Sequence, residues 1–244
     1  MSESSTSRYA IYYTPAPEHA LTVAARAWLG RDAFAGGSFT PSDEITASGT
    51  TLARRALTTA ASRYGFHATL KAPFHLKEGY SVEELERALR TFVRSWLPCP
   101  VGPLKIDLLG GFFVLVPMNP IPTLVGFASQ IVKEFDRFRG PLCHDEFQRR
   151  LRGPLDEIET THLVRWGYPY VFDRFRFHMT LTDRVPVASQ ADVKKELNAF
   201  FGTLLCEDYS IDTLSLFVQE HPGANFVVRS QFALRTRTLL KEAV

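Results

Sequence analysis

Two histidines in this chain are each followed, two positions on, by a threonine, in His67-Ala68-Thr69-Leu70 and His178-Met179-Thr180-Leu181. In a strand, residues i and i+2 leave the same face, so His67 shares a face with Thr69 and His178 with Thr180, while Ala68 and Met179 turn to the opposite, apolar side. An imidazole titrates near roughly 6.5, so at neutral pH one ring can take a proton while a charged counterpart gives one. Threonine hydroxyls beside them can donate to phosphoryl oxygens, whose negative charge grows on attack. A single H-x-T is common, and a lone histidine at a strand end is more often structural than catalytic. The chemistry is carried by the pair.

The elements that would position the pair recur around each motif. The first motif is followed by a helix signature at Ser81-Val82-Glu83-Glu84, running to about Phe92 or Leu97, and by strands over Leu104 to Leu109 and Phe112 to Val116 that turn at Gly110-Gly111. The second is followed by a helix near Ser189 to Phe201 and strands near Tyr209 to Gln219 and Phe226 to Leu234, turning at Pro222-Gly223. His67 to Gly110 spans 43 positions and His178 to Glu220 spans 42, so order and spacing both argue for an internal duplication. Before the first motif lie a strand over Arg8 to Tyr13, a helix over Glu18 to Leu29, a Gly, Ser and Thr rich surface loop from Gly36 to Gly49, and a helix from about Thr51 to Ser62. Phe66 to Leu70 reads as a short strand ended by Pro73.

The expected fold class is therefore α+β: a bilobal, duplicated fold with two antiparallel β-sheets facing a central groove and helices outside. Lobe one would cover residues 8–118 and lobe two residues 171–238, within one domain of 244 residues. The segment 121–170 fits neither copy. It reads as helices around Thr123 to Phe138, Cys143 to Leu151 and Leu155 to Val164, an insertion that joins the halves and could roof the groove.

Composition narrows the class of function. Hydrophobic residues make up 45% and charged residues 22%, which excludes disordered, collagen-like and mucin-like chains. The 28 basic side chains against 26 acidic ones leave +2, too balanced to argue for non-specific binding to nucleic acid or membrane. Cys99, Cys143 and Cys206 are scattered and odd in number, so no disulfide framework follows. With a polar opening stretch from Met1 to Ser7 and no long apolar run, the expected location is the cytoplasm. No metal and no cofactor is expected. His75, His144, His162 and His221 have no ligand spacing, His144-Asp145-Glu146 cannot share one helical face, and Gly36-Gly37 and Gly110-Gly111 lack a phosphate-loop context.

Several further side chains are candidates for holding a substrate's terminal phosphate: Tyr12 or Tyr13 on the first strand, Tyr64 and Lys71 beside the first motif, and Arg174 or Arg176 before the second. Arg176 shares strand parity with His178, and Lys71 with His67 if the strand runs that far; solvated charge is the plain alternative for both arginines. Tyr168 and Tyr170 could stack on a base or simply pack the linker.

The doubled H-x-[ST]-aliphatic signature resembles that of the 2H phosphoesterase superfamily. The longer strings Arg63-Tyr64-Gly65-Phe66-His67-Ala68-Thr69-Leu70-Lys71-Ala72-Pro73-Phe74, Arg165-Trp166-Gly167-Tyr168-Pro169-Tyr170 and Phe175-Arg176-Phe177-His178-Met179-Thr180-Leu181-Thr182 are similar to its DUF1045-like branch, associated with phosphonate metabolism. The resemblance covers most of the chain. It implies two four-stranded sheets around a cleft and metal-independent opening of a 2',3'-cyclic or 1',2'-cyclic phosphate, with His67 and His178 as catalytic residues and Thr69 and Thr180 as phosphate-binding residues. The substrate would be a small phosphorylated sugar or a nucleotide. The rival from another class is a non-catalytic module that binds a nucleotide or an RNA end in the same groove. Which histidine is the acid, and whether water or an alcohol attacks, stays open at this level.

Overall fold

The structure is a computed structural model that describes residues 7–35, 50–151 and 153–235. The loop expected from Gly36 to Gly49 and the last positions of the expected second lobe lie outside those residues. Among the described residues there are nine strands, β1 (Arg8–Tyr13), β2 (Ala68–Phe74), β3 (Cys99–Gly102), β4 (Leu104–Leu109), β5 (Phe112–Pro117), β6 (Met179–Arg184), β7 (Tyr209–Ile211), β8 (Thr213–Gln219) and β9 (Val227–Ala233). Seven α-helices accompany them: α1 (Ala20–Leu29), α2 (Thr50–Tyr64), α3 (Val82–Val93), α4 (Pro122–Phe135), α5 (His144–Leu151), α6 (Glu157–Trp166) and α7 (Gln190–Phe201). Local chemistry sets several of their boundaries. Ser81 caps α3 and Asp156 caps α6, each in a reciprocal box with the glutamate three residues on, Glu84 and Glu159.

The fold is mixed α and β, with a large antiparallel sheet and a small second one. Seven strands follow the order β4-β5-β6-β2-β1-β8-β9, and β3 pairs with β7 apart from them. This differs from the expected pair of separate sheets, and β1 and the junction of β2 with β6 are the physical reasons. β1 hydrogen-bonds to β2 on one side and β8 on the other, bringing the last strands into the same sheet. β2 then meets β6 through one residue pair, Ala68 opposite Met179. The element order β2, α3, β3, β4, β5 recurs as β6, α7, β7, β8, β9, but the strands are not placed alike: β5 lies between β4 and β6, whereas β9 is on the outer edge and β1 occupies the place beside β2.

One face of the large sheet is the core. Ile11, Tyr13, Ala68, Leu70, Leu115, Met179, Leu181, Leu214 and Leu216 bury against apolar stripes of α1, α3, α4 and α7. α4 supplies Leu124, Phe127, Ile131 and Phe135 to that core, so this part of the middle segment underlies the sheet instead of roofing a groove. Because Ala68 and Met179 both turn into it, period-two alternation sends their neighbours to the other face. That face carries a smaller cluster of Ala10, Tyr12, Ala33, Phe217 and Phe226. No helix among the described residues is long and apolar enough to cross a membrane.

Candidate functional site

The two H-x-T motifs meet at the single-pair junction of β2 and β6. Each histidine stands one residue before its strand begins, free of the ladder, and each threonine is the second strand residue. The same local device orients both rings. His67 Nδ1 lies 2.9 Å from the carbonyl oxygen of Gly65, and His178 Nδ1 lies 2.8 Å from that of Arg176. A carbonyl only accepts, so Nδ1 carries the hydrogen in both rings and Nε2 is left for chemistry. Thr69 Oγ1 sits 3.3 Å from His67 Nε2. Thr180 has Val114 as its cross-strand neighbour, and no bond from it to His178 is formed.

Burial holds the imidazole of His67 down to about 4; donation to Gly65 opposes the fall, and the neighbouring His178 adds to it. Burial also lowers His178, opposed by its bond to Arg176 O and reinforced by the guanidinium of Arg176. The effect of His178 on His67 agrees with their places on either side of the Ala68 and Met179 pair.

The first histidine rests on a built support. Tyr12, opposite Thr69 on β1, stacks on the His67 ring with centroids 3.9 Å apart and planes 21° from parallel. Gly65 takes φ +74, and a Cβ there would lie 2.7 Å from Ala33 Cβ, so only glycine fits the turn that aims the carbonyl. Arg31, 6% exposed, fastens that turn: Nη1 donates to the carbonyls of Ser62 (2.7 Å) and Arg63 (3.2 Å), and Nη2 donates to that of Phe226. Arg31 escaped the sequence reading because its partners are backbone oxygens brought together only by the fold.

The other sequence candidates separate. Tyr64 ends α2 over the open face, stacked on Phe226 at 5.2 Å and 6.3 Å from the His67 ring. Tyr168 follows the left-handed Gly167 and packs edge-on to the exposed Tyr170 at 5.6 Å. Tyr13 has the opposite strand parity from Tyr12 and is in the core with Phe177. Lys71 leaves the alternation because the β1 and β2 register shifts between the Tyr12 and Thr69 pair and the Ile11 and Lys71 pair. Its ammonium donates to Asp136 Oδ1 at 3.1 Å and Val132 O at 3.3 Å, and burial lowers it to about 8. Arg174 is bound to Asp156 at 2.8 Å and Asp173 at 3.3 Å, which secures the start of α6. Arg176 is exposed next to His178.

Two further arginines reach the open face without any sequence signal beyond their type. Arg8 shares strand parity with Tyr12; its Nε donates to Gln219 Oε1 at 2.8 Å. Arg150 of α5 donates to Glu146 Oε1 at 2.6 Å, to Pro73 O at 3.2 Å and to the carbonyl of Gly167, and its guanidinium lies over the Tyr168 ring at 5.7 Å.

A family model described as "Protein of unknown function (DUF1045)" matches residues 69–227, which include Thr69, His178 and Thr180. The chain belongs to the DUF1045 family. This member is 36% identical over 233 residues to a ribose 1,5-bisphosphate phosphokinase PhnN of Janthinobacterium sp. (strain Marseille), a match covering 93% of this chain and 51% of that protein. It is 33% identical over 219 residues to the protein of the same name from Laribacter hongkongensis (strain HLHK9), covering 90% and 50%. The chain thus spans about half the length of these curated relatives. A crystal structure of a phosphoesterase aligns over 94% of this chain and 98% of its own, with a TM-score of 0.40 and 11% identity, too distant a likeness to argue from.

Proposed function

We propose that this protein opens the cyclic phosphate of a small ribose phosphate or nucleotide by acid and base catalysis from His67 and His178. The observation that carries the reading is the placement of both H-x-T motifs on one face, on either side of the Ala68 and Met179 pair, with both Nε2 atoms freed by the bonds at Nδ1. Water attacks phosphorus and gives its proton to one histidine. The opposite P–O ester bond breaks, and its oxygen takes a proton from the other histidine. Thr69 and Thr180 donate to the equatorial oxygens as their charge grows. His67, buried on Tyr12 and held down to about 4, is unprotonated at neutral pH and takes the role of base. That leaves the acid's role to His178, a ring that burial also lowers but that lies beside solvent.

The name of the relatives supports one substrate in particular. Ribose 5-phosphate closed as a 1,2-cyclic phosphate would give ribose 1,5-bisphosphate, the compound in that name, if the bond from phosphorus to O2 breaks and the phosphate stays on O1. This connects the reading to phosphonate metabolism, and it makes O2 the atom that His178 protonates.

Phosphorus NMR on that cyclic phosphate and on 2',3'-cyclic nucleotides, with chelator present, tests the proposal. The wild type is expected to open the ring, and His67→Ala and His178→Ala each to slow it by roughly 10² to 10⁴ fold. No opening by the wild type, or unchanged rates in both variants, overturns it. Affinity without product would favour the binding module.

A further inference from the structure

Three phenols border the open face. Tyr12 is 1% exposed, Tyr168 is half-buried and Tyr64 is exposed, and no hydrogen bond ties up their hydroxyls among the described residues. All three can therefore donate to a group that arrives from outside. The rings of Tyr12 and Tyr64 lie 3.9 and 6.3 Å from that of His67, and the Arg150 guanidinium lies 5.7 Å over the Tyr168 ring. Arg150 and Arg8, which is on the strand of Tyr12, meet at Glu146, so the three phenols border one space beside His67.

The same space is cationic. Arg8 and Arg150 both act on the Tyr12 hydroxyl. Glu146, 5% exposed, is shared by Arg150 at 2.6 Å, Arg8 at 3.6 Å and Arg149 at 3.7 Å, so one carboxylate faces three guanidinium groups and positive charge remains. Arg150 spends its donors on Glu146, Pro73 and Gly167 and contributes charge and rigidity. Arg8 uses Nε on Gln219 and Nη1 faces Glu146, while Nη2 makes no hydrogen bond among the described residues. Burial raises Tyr12 well above the ordinary phenol value and Tyr168 to about 12, so both stay protonated donors at neutral pH.

Resting on the proposed function, we propose that the hydroxyls of Tyr12, Tyr64 and Tyr168, with the guanidinium groups of Arg8 and Arg150, form a subsite beside His67 for a second, non-reacting phosphate monoester of the substrate. Three hydroxyl donors and a surplus cation match the acceptor oxygens and charge of a phosphate dianion. Such a subsite holds the substrate by its far end and sets the cyclic phosphorus between the two Nε2 atoms. It selects a phosphorylated sugar over an unphosphorylated one.

The test compares kcat/KM for ribose 5-phosphate 1,2-cyclic phosphate with that for ribose 1,2-cyclic phosphate, in the wild type and in Tyr12→Phe, Tyr168→Phe and Arg8→Gln. Charge-assisted hydrogen bonds are worth roughly 10 to 100 fold each, so the wild type is expected to prefer the phosphorylated substrate by at least that much and each variant to cut the preference by about tenfold or more. Phenylalanine at position 12 retains the ring that stacks on His67. A wild type without preference, or variants that slow both substrates equally, overturns the subsite. If the wild type opens neither substrate, the hydrolase reading fails and the subsite is judged by ribose 5-phosphate binding in calorimetry. Affinity lost in the three variants then upholds it, and affinity unchanged overturns it.

Discussion

The two H-x-T motifs have the same backbone logic and different surroundings. Both histidines give Nδ1–H to the carbonyl two residues earlier, but Gly65 provides it at one motif and Arg176 at the other. The first ring is stacked on Tyr12, touched by Thr69 and set by a turn that Arg31 fastens. The second has an exposed arginine for a neighbour and no such support. Repeating a motif fixes which atom each ring presents. The packing around it decides how readily each ring holds a proton, and so lets like residues take unlike parts.

The largest effect that would break this comparison is expected at the carbonyl-bearing residues. Gly65→Ala forces a side chain into φ +74 and against Ala33 Cβ at 2.7 Å, and should cost about 2 to 4 kcal/mol in urea denaturation. Arg176→Ala, at an exposed position, should stay within about 0.5 kcal/mol. Equal costs would mean the two turns are under the same constraint.

A smaller effect lies in acid. Unfolded histidine binds its proton near roughly 6.5, and His67 in the fold does so only near about 4. Between those values the unfolded chain holds more protons, so stability falls as the pH is lowered, by at most about 3 kcal/mol and less where water reaches the ring. His67→Gln should flatten that part of the curve of denaturation midpoint against pH more than His178→Gln does. The reverse order would exchange the two environments.

The smallest concerns Arg176 alone. Its guanidinium lowers His178, so Arg176→Gln should move the His178 titration upward, followed by NMR of the ring C–H, and leave His67 where it is. An unmoved His178 would show that burial alone sets it.

Much of this arrangement was legible in the sequence. Strand alternation placed His67 with Thr69 and His178 with Thr180 on one face, and the helix and hairpin signals after each motif correspond to α3, β4 and β5 and to α7, β8 and β9. Alternation failed at Lys71, where a register shift that no local residue announces interrupts the period. β3 was missed because Pro100 and Gly102 mask a short strand whose partner, β7, is distant in sequence. The sheet count was misjudged because β1 reads as part of the first half and pairs with β8 of the second. Arg8, Arg31 and Arg150 were beyond reach for a different reason. Their partners are carbonyls and a carboxylate assembled by tertiary structure, and arginine, with 21 copies in the chain, is too common to stand out.

The position of β1 also bears on how the protein is made. Arg8 hydrogen-bonds to Gln219, 211 positions away, so β1 is paired on one side by a strand synthesised long after it. Such distant contacts close slowly. During translation the apolar run Arg-Tyr-Ala-Ile-Tyr-Tyr therefore waits with an unpaired edge, the kind of segment that associates with other nascent chains, and the floor under His67 is completed only when β8 leaves the ribosome.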